Sequence, residues 1–319
     1  MWCDRLWLVI KRAALPFALV QLAGCASFNY TQADSPIALA SVPILNPRPQ
    51  VALVLGSGGP RGYAHIGVMK VLEDAGIEYD LVVGSSVGSL IGAFWASGYS
   101  VAEIDDLSQQ GGPLTVFDFS LFADRGWIRG QRLQDFVNDR LCSQRIELMP
   151  RKFIAAATRL SDKQPVFFQS GNPGVAVRAS SAVSQIISPV GIQGVEYEDG
   201  DESLPVAVRA ARQAGAKFVI AVDVTPVPGT APADTSASRL EREAKRRARI
   251  DPELMDADFV IHPDLGFGTV PTSAFFENAR KSGELTARRL LPSLQAAIAE
   301  SQVLPTIRRS NQRINDRSN

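Results

Sequence analysis

Two histidines and three cysteines are all that this 319-residue chain holds of the residue types most used for metal clusters and disulfide frameworks. Neither device is therefore expected to organise the fold. No sign of charge is in excess either. Lys plus Arg and Asp plus Glu both total 33, so bulk charge recommends neither nucleic acid nor an acidic polymer as a partner. Long hydrophobic runs are also missing near the start, where the apolar stretch Ala13 to Ala23 is shorter than the roughly twenty residues a membrane span needs. What remains is ordinary globular material, 45% hydrophobic and 21% charged, with room for one large domain or two small ones.

The first residues follow a different plan from the rest. Arg5, Lys11 and Arg12 precede the stretch Ala13 to Ala23, which ends in Leu22-Ala23-Gly24-Cys25 and resembles a bacterial lipobox. Basic, then apolar, then small residues is the order of a secretory signal. Residues 1–24 are thus expected to be a lipoprotein signal peptide and Cys25 the lipidated new N-terminus. The protein is then expected in the bacterial cell envelope, on the outer membrane facing the periplasm in a Gram-negative cell. Cleavage would commit Cys25 to lipid and leave Cys142 as the one free thiol, expected as a small core residue. Residues 25–50, with Pro36, Pro43, Pro47 and Pro49 and little periodicity, read as a flexible tether with a reach of roughly 25 to 30 Å.

From Val51 the pattern changes to short apolar runs alternating with helical stretches. Val51 to Leu55, Tyr79 to Val83, Phe153 to Thr158 and Phe218 to Val224 have the nearly unbroken apolarity of strands covered on both faces. Pro60 to Ala75 carries a helical stripe of Ala64, Val68, Val71, Leu72 and Ala75 and stops at Gly76, and Val87 to Ala96 stops before Gly98. The order predicts a three-layer α/β/α domain with a mostly parallel central sheet over 51–224, extended by helix and strand over 225–299. Gly111 to Leu148 reads as an insertion or flap with a helix at Gln131 to Leu141, and Ser273 to Ile298 as a helix interrupted near Pro292. Residues 300–319 read as a disordered tail. The basic helix Arg239 to Ile250, with Lys245-Arg246-Arg247-Ala248-Arg249, suits either anionic lipid headgroups or plain solvation beside Glu241 and Glu243.

Two glycine-rich turns carry the chemistry. Gly56-Ser57-Gly58-Gly59-Pro60-Arg61-Gly62 follows the first strand and Gly84-Ser85-Ser86-Val87-Gly88 the second, so parallel strands would place both at one sheet edge. A G-x-S-x-G elbow exposes its serine on a tight strand-to-helix turn, which makes Ser86 the candidate nucleophile. The first turn would present backbone N–H groups to a developing oxyanion. A dinucleotide site fits less well, because Ser57 breaks the G-x-G-x-x-G spacing and Glu73 and Asp74 fall inside a helix rather than at the next strand end.

Serine needs a base within hydrogen-bond reach. Either Asp199, at the end of the strand-like Gly191 to Tyr197, acts alone, or a triad runs Ser86, then Asp199 or Asp223, then His262. His65 sits one residue off its helix's apolar stripe and reads as a packed or hydrogen-bonded helix residue.

The glycine-rich turn with Arg61-Gly62, the following Ala64-His65-Ile66-Gly67-Val68, the elbow Gly84 to Gly88 and the late Asp199-Gly200 resemble the patatin-like phospholipases over about Val51 to Val208. The resemblance implies a Ser86–Asp199 dyad, with Gly58, Gly59 and the Arg61 amide lining an oxyanion hole and Gly56, Gly62, Gly84, Gly88 and Gly200 shaping the turns. It implies hydrolysis of acyl esters in membrane phospholipid or lysophospholipid, with no metal and no cofactor. An alternative is a lipid-binding envelope lipoprotein with a weak or inactive site. Two positions depart from the family pattern. Ser57 stands where a glycine is usual, its hydroxymethyl able to crowd the loop or to donate a hydrogen bond, and Pro60 has no N–H to offer. Asp199-Gly200 runs into Asp201-Glu202 where Gly or Ala is usual, giving an acidic cluster with Glu196 and Glu198. Such a cluster could raise the pKa of Asp199 or attract a hard cation such as calcium, and the loop, shorter than usual before Leu204-Pro205, could displace Asp199 from Ser86.

Overall fold

The computed structural model describes residues 29–110, 116–121, 123–268 and 270–301. Among these the chain order is β1 Asn29–Tyr30, β2 Ala38–Leu39, β3 Val51–Leu55, α1 Tyr63–Asp74, β4 Leu81–Ser85, α2 Val87–Ala96, α3 Val101–Gln109 and α4 Gln131–Arg140. There follow β5 Lys152–Arg159, β6 Pro165–Phe168, α5 Pro173–Ser180, β7 Val190–Ile192, β8 Val195–Asp199, α6 Val208–Gln213 and β9 Phe218–Val222. The last elements are α7 Ala237–Leu254, β10 Phe259–Ile261 and α8 Ser273–Glu300. The signal segment 1–24, Cys25 and residues 302–319 of the tail lie outside the described residues.

The four apolar runs become the middle of one sheet. Its main path is β1-β7-β8-β5-β4-β3-β9-β10, with β6 on β5 and β2 on β6. β5, β4, β3, β9 and β10 are parallel to one another, whereas β6 and β8 run antiparallel to β5. Alternate residues of each strand enter opposite cores, as the two-residue strand period requires. Leu53 and Leu55 join the core that contains α1, α2 and α5, and Ala52 and Val54 join the core beneath α6 and around Ile250 of α7. The expected three-layer α/β/α architecture with a mostly parallel sheet is the one observed.

Several expectations need correction. Residues 29–50 are not a free tether: β1 pairs in parallel with β7 and β2 antiparallel with β6. Val42 is buried, its amide donates to Gln213 Oε1 at 3.0 Å, and the Leu45 amide donates to the Ala214 carbonyl at 2.9 Å. Strands of two residues carry no periodicity, which is why the segment reads as loop. Cys142 is exposed rather than buried. The chain leaves α4 through Cys142 and Ser143 at φ 50° and 51°, and Leu141 takes the core position instead.

The final helix is continuous through Pro292. Proline there lies on the exposed side, where the carbonyl it deprives of a partner can turn to water. On the opposite side α8 meets α1 backbone to backbone. A Cβ on Gly67 would run into the Arg280 carbonyl, and one on Gly283 into the Ala64 carbonyl. This contact makes the C-terminal helix part of the same folding unit as the first turn of the site. Gly67→Val is expected to lower the melting temperature, with a cost of about 1–3 kcal/mol or more from overpacking against backbone, as read by thermal and urea denaturation.

Candidate active site

Ser86 stands where β4 ends and α2 begins, with φ 54° and ψ −124°. A serine at positive φ is strained, and strain of this kind persists where the surroundings over-determine it. The flanking glycines allow that enclosure: a Cβ on Gly84 would strike the Gly88 carbonyl, and one on Gly88 the Leu55 carbonyl. The Ser86 amide donates to Ser180 Oγ at 2.9 Å, and the Ser180 hydroxyl donates to the Ala156 carbonyl at 2.5 Å. The Ser86 carbonyl accepts from Ser89 Oγ at 2.7 Å. With its backbone held, the Ser86 hydroxyl is left to donate to Asp199 Oδ2 at 2.7 Å.

Sheet topology delivers that aspartate. β5 pairs with β4 through Ala156 opposite Ser85, then runs on, and β8 takes over the same edge with Asp199 opposite Ala157. The end of β8 therefore abuts the end of β4, and the two functional side chains meet at the seam. Gly200 is required at this seam because a Cβ would strike Ser85 Oγ and lie 2.5 Å from the Ala156 carbonyl. The Asp199 amide donates to Ala182 O at 3.0 Å, and its carbonyl accepts from Thr158 Oγ1 at 2.8 Å. Its second carboxylate oxygen, Oδ1, accepts the Asp201 amide at 2.8 Å.

Asp199 is buried, and burial followed by the neighbouring Asp201 charge pushes its carboxyl up to about 7, against the hydrogen bonds from Asp201 N–H and Ser86 and the charge of Arg246. Of the three consequences envisaged for this acidic loop, displacement of Asp199 does not occur. The cluster is also dispersed: Glu196 pairs with Arg125, Glu198 with Lys163 and Asp201 with Arg246.

The first turn follows β3, the strand that pairs with β4 on the side away from β5. The Gly56 amide donates to Val222 O at 3.0 Å and the Ser57 amide to Pro205 O at 2.8 Å. Gly58 and Gly62 are packed too closely for a side chain, against Val224 and Val87 respectively, and Gly59 has φ 52°. Residues Gly59–Gly62 form a 3-10 turn in which the Arg61 amide donates to Gly58 O at 3.1 Å. The expected role of the Arg61 amide as an oxyanion donor is therefore corrected: that hydrogen closes the turn. The amides of Gly58 and Gly59 donate to no atom among the described residues. Arg61 itself is buried, and its Nη2 donates to Phe267 O at 2.7 Å.

Neither histidine reaches Ser86. His65 is buried, its Nε2 lies 2.8 Å from Gly56 O, and burial lowers its pKa to about 4, so the ring is neutral at pH 7. His262 Nε2 lies 2.9 Å from Thr225 O, and its Nδ1 is 3.8 Å from Asp223 Oδ2. Asp223 is itself occupied by Arg247 Nη1 at 2.6 Å and by the amide and hydroxyl of Thr225 at 2.9 and 2.7 Å. Burial would raise its pKa, but His262, Thr225 and Arg247 together hold it below the usual carboxylate value. The triad through His262 is thus not assembled, and the dyad geometry is.

Sequence reasoning missed two contributors. Ser180 ends α5, a short helix started by the Asn172 cap, with Asn172 Oδ1 accepting the Val175 amide at 3.0 Å. The Asn-Pro-Gly sequence at 172–174 is the signal that could have revealed that helix. The second is the basic helix α7, which is not simply solvated. Arg239 donates to Phe267 O, Arg246 to Asp201 and Ser57, and Arg247 to Asp223, so these three arginines face the site turns and the loops beneath them.

A strained serine at a strand-to-helix elbow, bonded to a buried aspartate at the carboxyl edge of a parallel sheet, defines a serine-elbow α/β fold. Residues 53–208 match the family model described as patatin-like phospholipase. An uncharacterized NTE family protein of Mycobacterium tuberculosis is 35% identical over 182 residues, covering 55% of this chain and 49% of that protein. A lysophospholipase of Scheffersomyces stipitis is 31% identical over 182 residues, covering 54% of this chain and 12% of the relative. The chain thus spans about half the length of the mycobacterial relative and a small part of the other. In fold it is similar to the crystal structure of VipD from Legionella pneumophila, with a TM-score of 0.51 and 12% identity over 86% of this chain and 73% of that one.

Ser180→Ala would leave the Ser86 amide buried without its acceptor. A loss of about 1–3 kcal/mol in stability is expected, measured by chemical denaturation, together with slower reaction of Ser86 toward covalent probes.

Proposed function

We propose that the protein is a lipid acyl-ester hydrolase that works through the Ser86–Asp199 dyad. The observation that carries this reading is the 2.7 Å hydrogen bond from Ser86 Oγ to Asp199 Oδ2, made by a serine held at positive φ on the elbow. The patatin-like match over 53–208 supports lipid esters as the substrate class, and the lysophospholipase among the relatives supports phospholipid or lysophospholipid within that class.

In the cycle, Ser86 Oγ bonds to the ester carbonyl carbon while its proton passes to Asp199 Oδ2. The carbonyl oxygen becomes an oxyanion, for which the uncommitted amides of Gly58 and Gly59 are the available donors, helped by their position at the start of a helix. Collapse breaks the ester C–O bond, and the leaving alcohol takes the proton from Asp199. Water then attacks the acyl-serine, Asp199 receives its proton, and fatty acid departs as that proton returns to Ser86. The carboxylate must be ionised at the first step. With its pKa raised to about 7 by burial, activity is lost as pH falls through that value and gained above it.

Hydrolysis of a chromogenic acyl ester, and labelling of Ser86 by a fluorophosphonate, should rise with pH through about 7. Ser86→Ala and Asp199→Asn should each lower turnover by on the order of 10⁴-fold, while a folded His262→Ala retains it. Wild-type turnover indifferent to both dyad substitutions would refute the dyad and favour a lipid-binding protein with an inactive site.

Lipid anchoring at Cys25 in the cell envelope completes the proposal, supported by the lipobox-like Leu22-Ala23-Gly24-Cys25. With β1 starting at Asn29, only about 14 Å of extended chain separates the anchor from the sheet. The domain would be held close to the bilayer surface rather than swung on a long tether. Cys25→Ala is expected to abolish palmitate incorporation and move the protein from the membrane to the soluble fraction of cells.

A further inference from the structure

The two departures from the family pattern, Ser57 in the first turn and Asp201 after the base, touch each other. The Ser57 hydroxyl donates to Asp201 Oδ1. Both are engaged from outside by one side chain of α7: Arg246 Nε donates to Asp201 Oδ1 at 2.7 Å, and its Nη2 donates to Ser57 Oγ at 3.0 Å. Arg246 is largely buried, with 12% of its side chain exposed, and Ser57 is 1% exposed. Asp201 reaches the reacting pair directly, because its amide donates to Asp199 Oδ1. A continuous polar path therefore runs from α7 through Asp201 to the base, with a branch to the turn that carries the Gly58 and Gly59 amides.

We propose that Arg246, acting through Asp201 and Ser57, is a positioning residue that clasps the oxyanion turn to the base turn and sets the pH range in which Asp199 accepts a proton. The proposal rests on the Ser86–Asp199 dyad. Its physical content is charge and geometry together. Glycine at 57 and glycine or alanine at 201 would leave the two turns joined by backbone packing alone. Here an anion has been placed two residues from a buried carboxylate, where it disfavours ionisation of that carboxylate, and the Arg246 cation offsets it. A partly buried, hydrogen-bonded ion pair of this kind is costly to break from one side, because the remaining charge has no partner.

The other charges around the base are accounted for. Glu202 shares the turn with Asp201, and Glu198 on β8 is paired with Lys163. From α7, Arg249 Nη2 donates to the Asp201 carbonyl at 3.3 Å, and Glu243 lies 3.9 Å from Arg246 Nη1. On the first turn Arg61 is directed to Phe267, and His65 beneath it is neutral. Arg246 is the cation in direct side-chain contact with the Asp201 carboxylate.

The test is the pH dependence of fluorophosphonate labelling of Ser86 in the full chain, with folding checked by thermal melting. Arg246→Met leaves Asp201 unopposed and should move the acid limb up by about half a pH unit or more. Asp201→Asn, which leaves Arg246 paired only with Glu243 at 3.9 Å, should move it down by a similar amount. The double variant should return the limb to near the wild-type position. A limb unmoved in Arg246→Met or Asp201→Asn, or a double variant that stays with Arg246→Met, would overturn the clasp. If Arg246→Met does not fold, the limb of Asp201→Asn decides: a shift down supports the proposal, and no shift overturns it. Wild-type Ser86 that does not label, or labelling that survives Asp199→Asn unchanged, would instead remove the dyad, and the clasp with it.

Discussion

A carboxylate sealed from water beside a strained serine is the constraint around which the rest of this structure is arranged. An ion in such a place is expensive unless every oxygen is engaged. Ser86 and the Asp201 amide occupy the two oxygens of Asp199, and backbone bonds to Ala182 and Thr158 fix the main chain on either side. The seam that brings them together exists because β5 is longer than β4 and lends its surplus edge to an antiparallel strand. A purely parallel sheet would have no strand arriving at that edge from the opposite direction.

Around this seam polar burial does what apolar burial does elsewhere in the sheet. Arg61 is drawn inward to the Phe267 carbonyl in the loop after β10, and Arg246 and Arg247 to carboxylates just after β8 and β9. Each satisfies groups that close packing alone would leave orphaned, which is costly in a low-dielectric setting. The result joins residues far apart in sequence into one rigid rim. Helix α7 lies after the family-matched segment, yet it contacts both turns within it.

How much of this was legible before the structure follows from where the signal lies. β3 and α2 are found at their expected bounds because an unbroken apolar run and a glycine stop leave little choice at those positions. Ser86 and Asp199 were readable for a related reason, since the elbow glycines and the Asp-Gly pair mark close backbone approaches that a Cβ would block. The docked segment 29–50 was not, because two-residue strands leave no pattern and its proline content imitates a linker. Nor was the direction of α7. Its apolar Leu240, Ala244 and Ala248 are exposed while Arg246 and Arg247 are partly buried, so hydrophobic periodicity points the helix the wrong way. The Arg61 amide was misassigned because the number of residues in the turn does not disclose which hydrogens the turn consumes.

The glycine pair between α1 and α8 bears on where a working unit of this protein begins and ends. Family matching stops at residue 208, and an engineer seeking a minimal enzyme would be tempted to cut there. Such a fragment would expose the flank of α1 against which α8 closes at Gly67 and Gly283, with no side chain on either glycine to fill the gap. It would also lose β9, whose Val222 carbonyl receives the Gly56 amide at the root of the first glycine-rich turn. In modular terms, the family match spans the Ser86–Asp199 pair, while the packing that encloses it extends through the last helix.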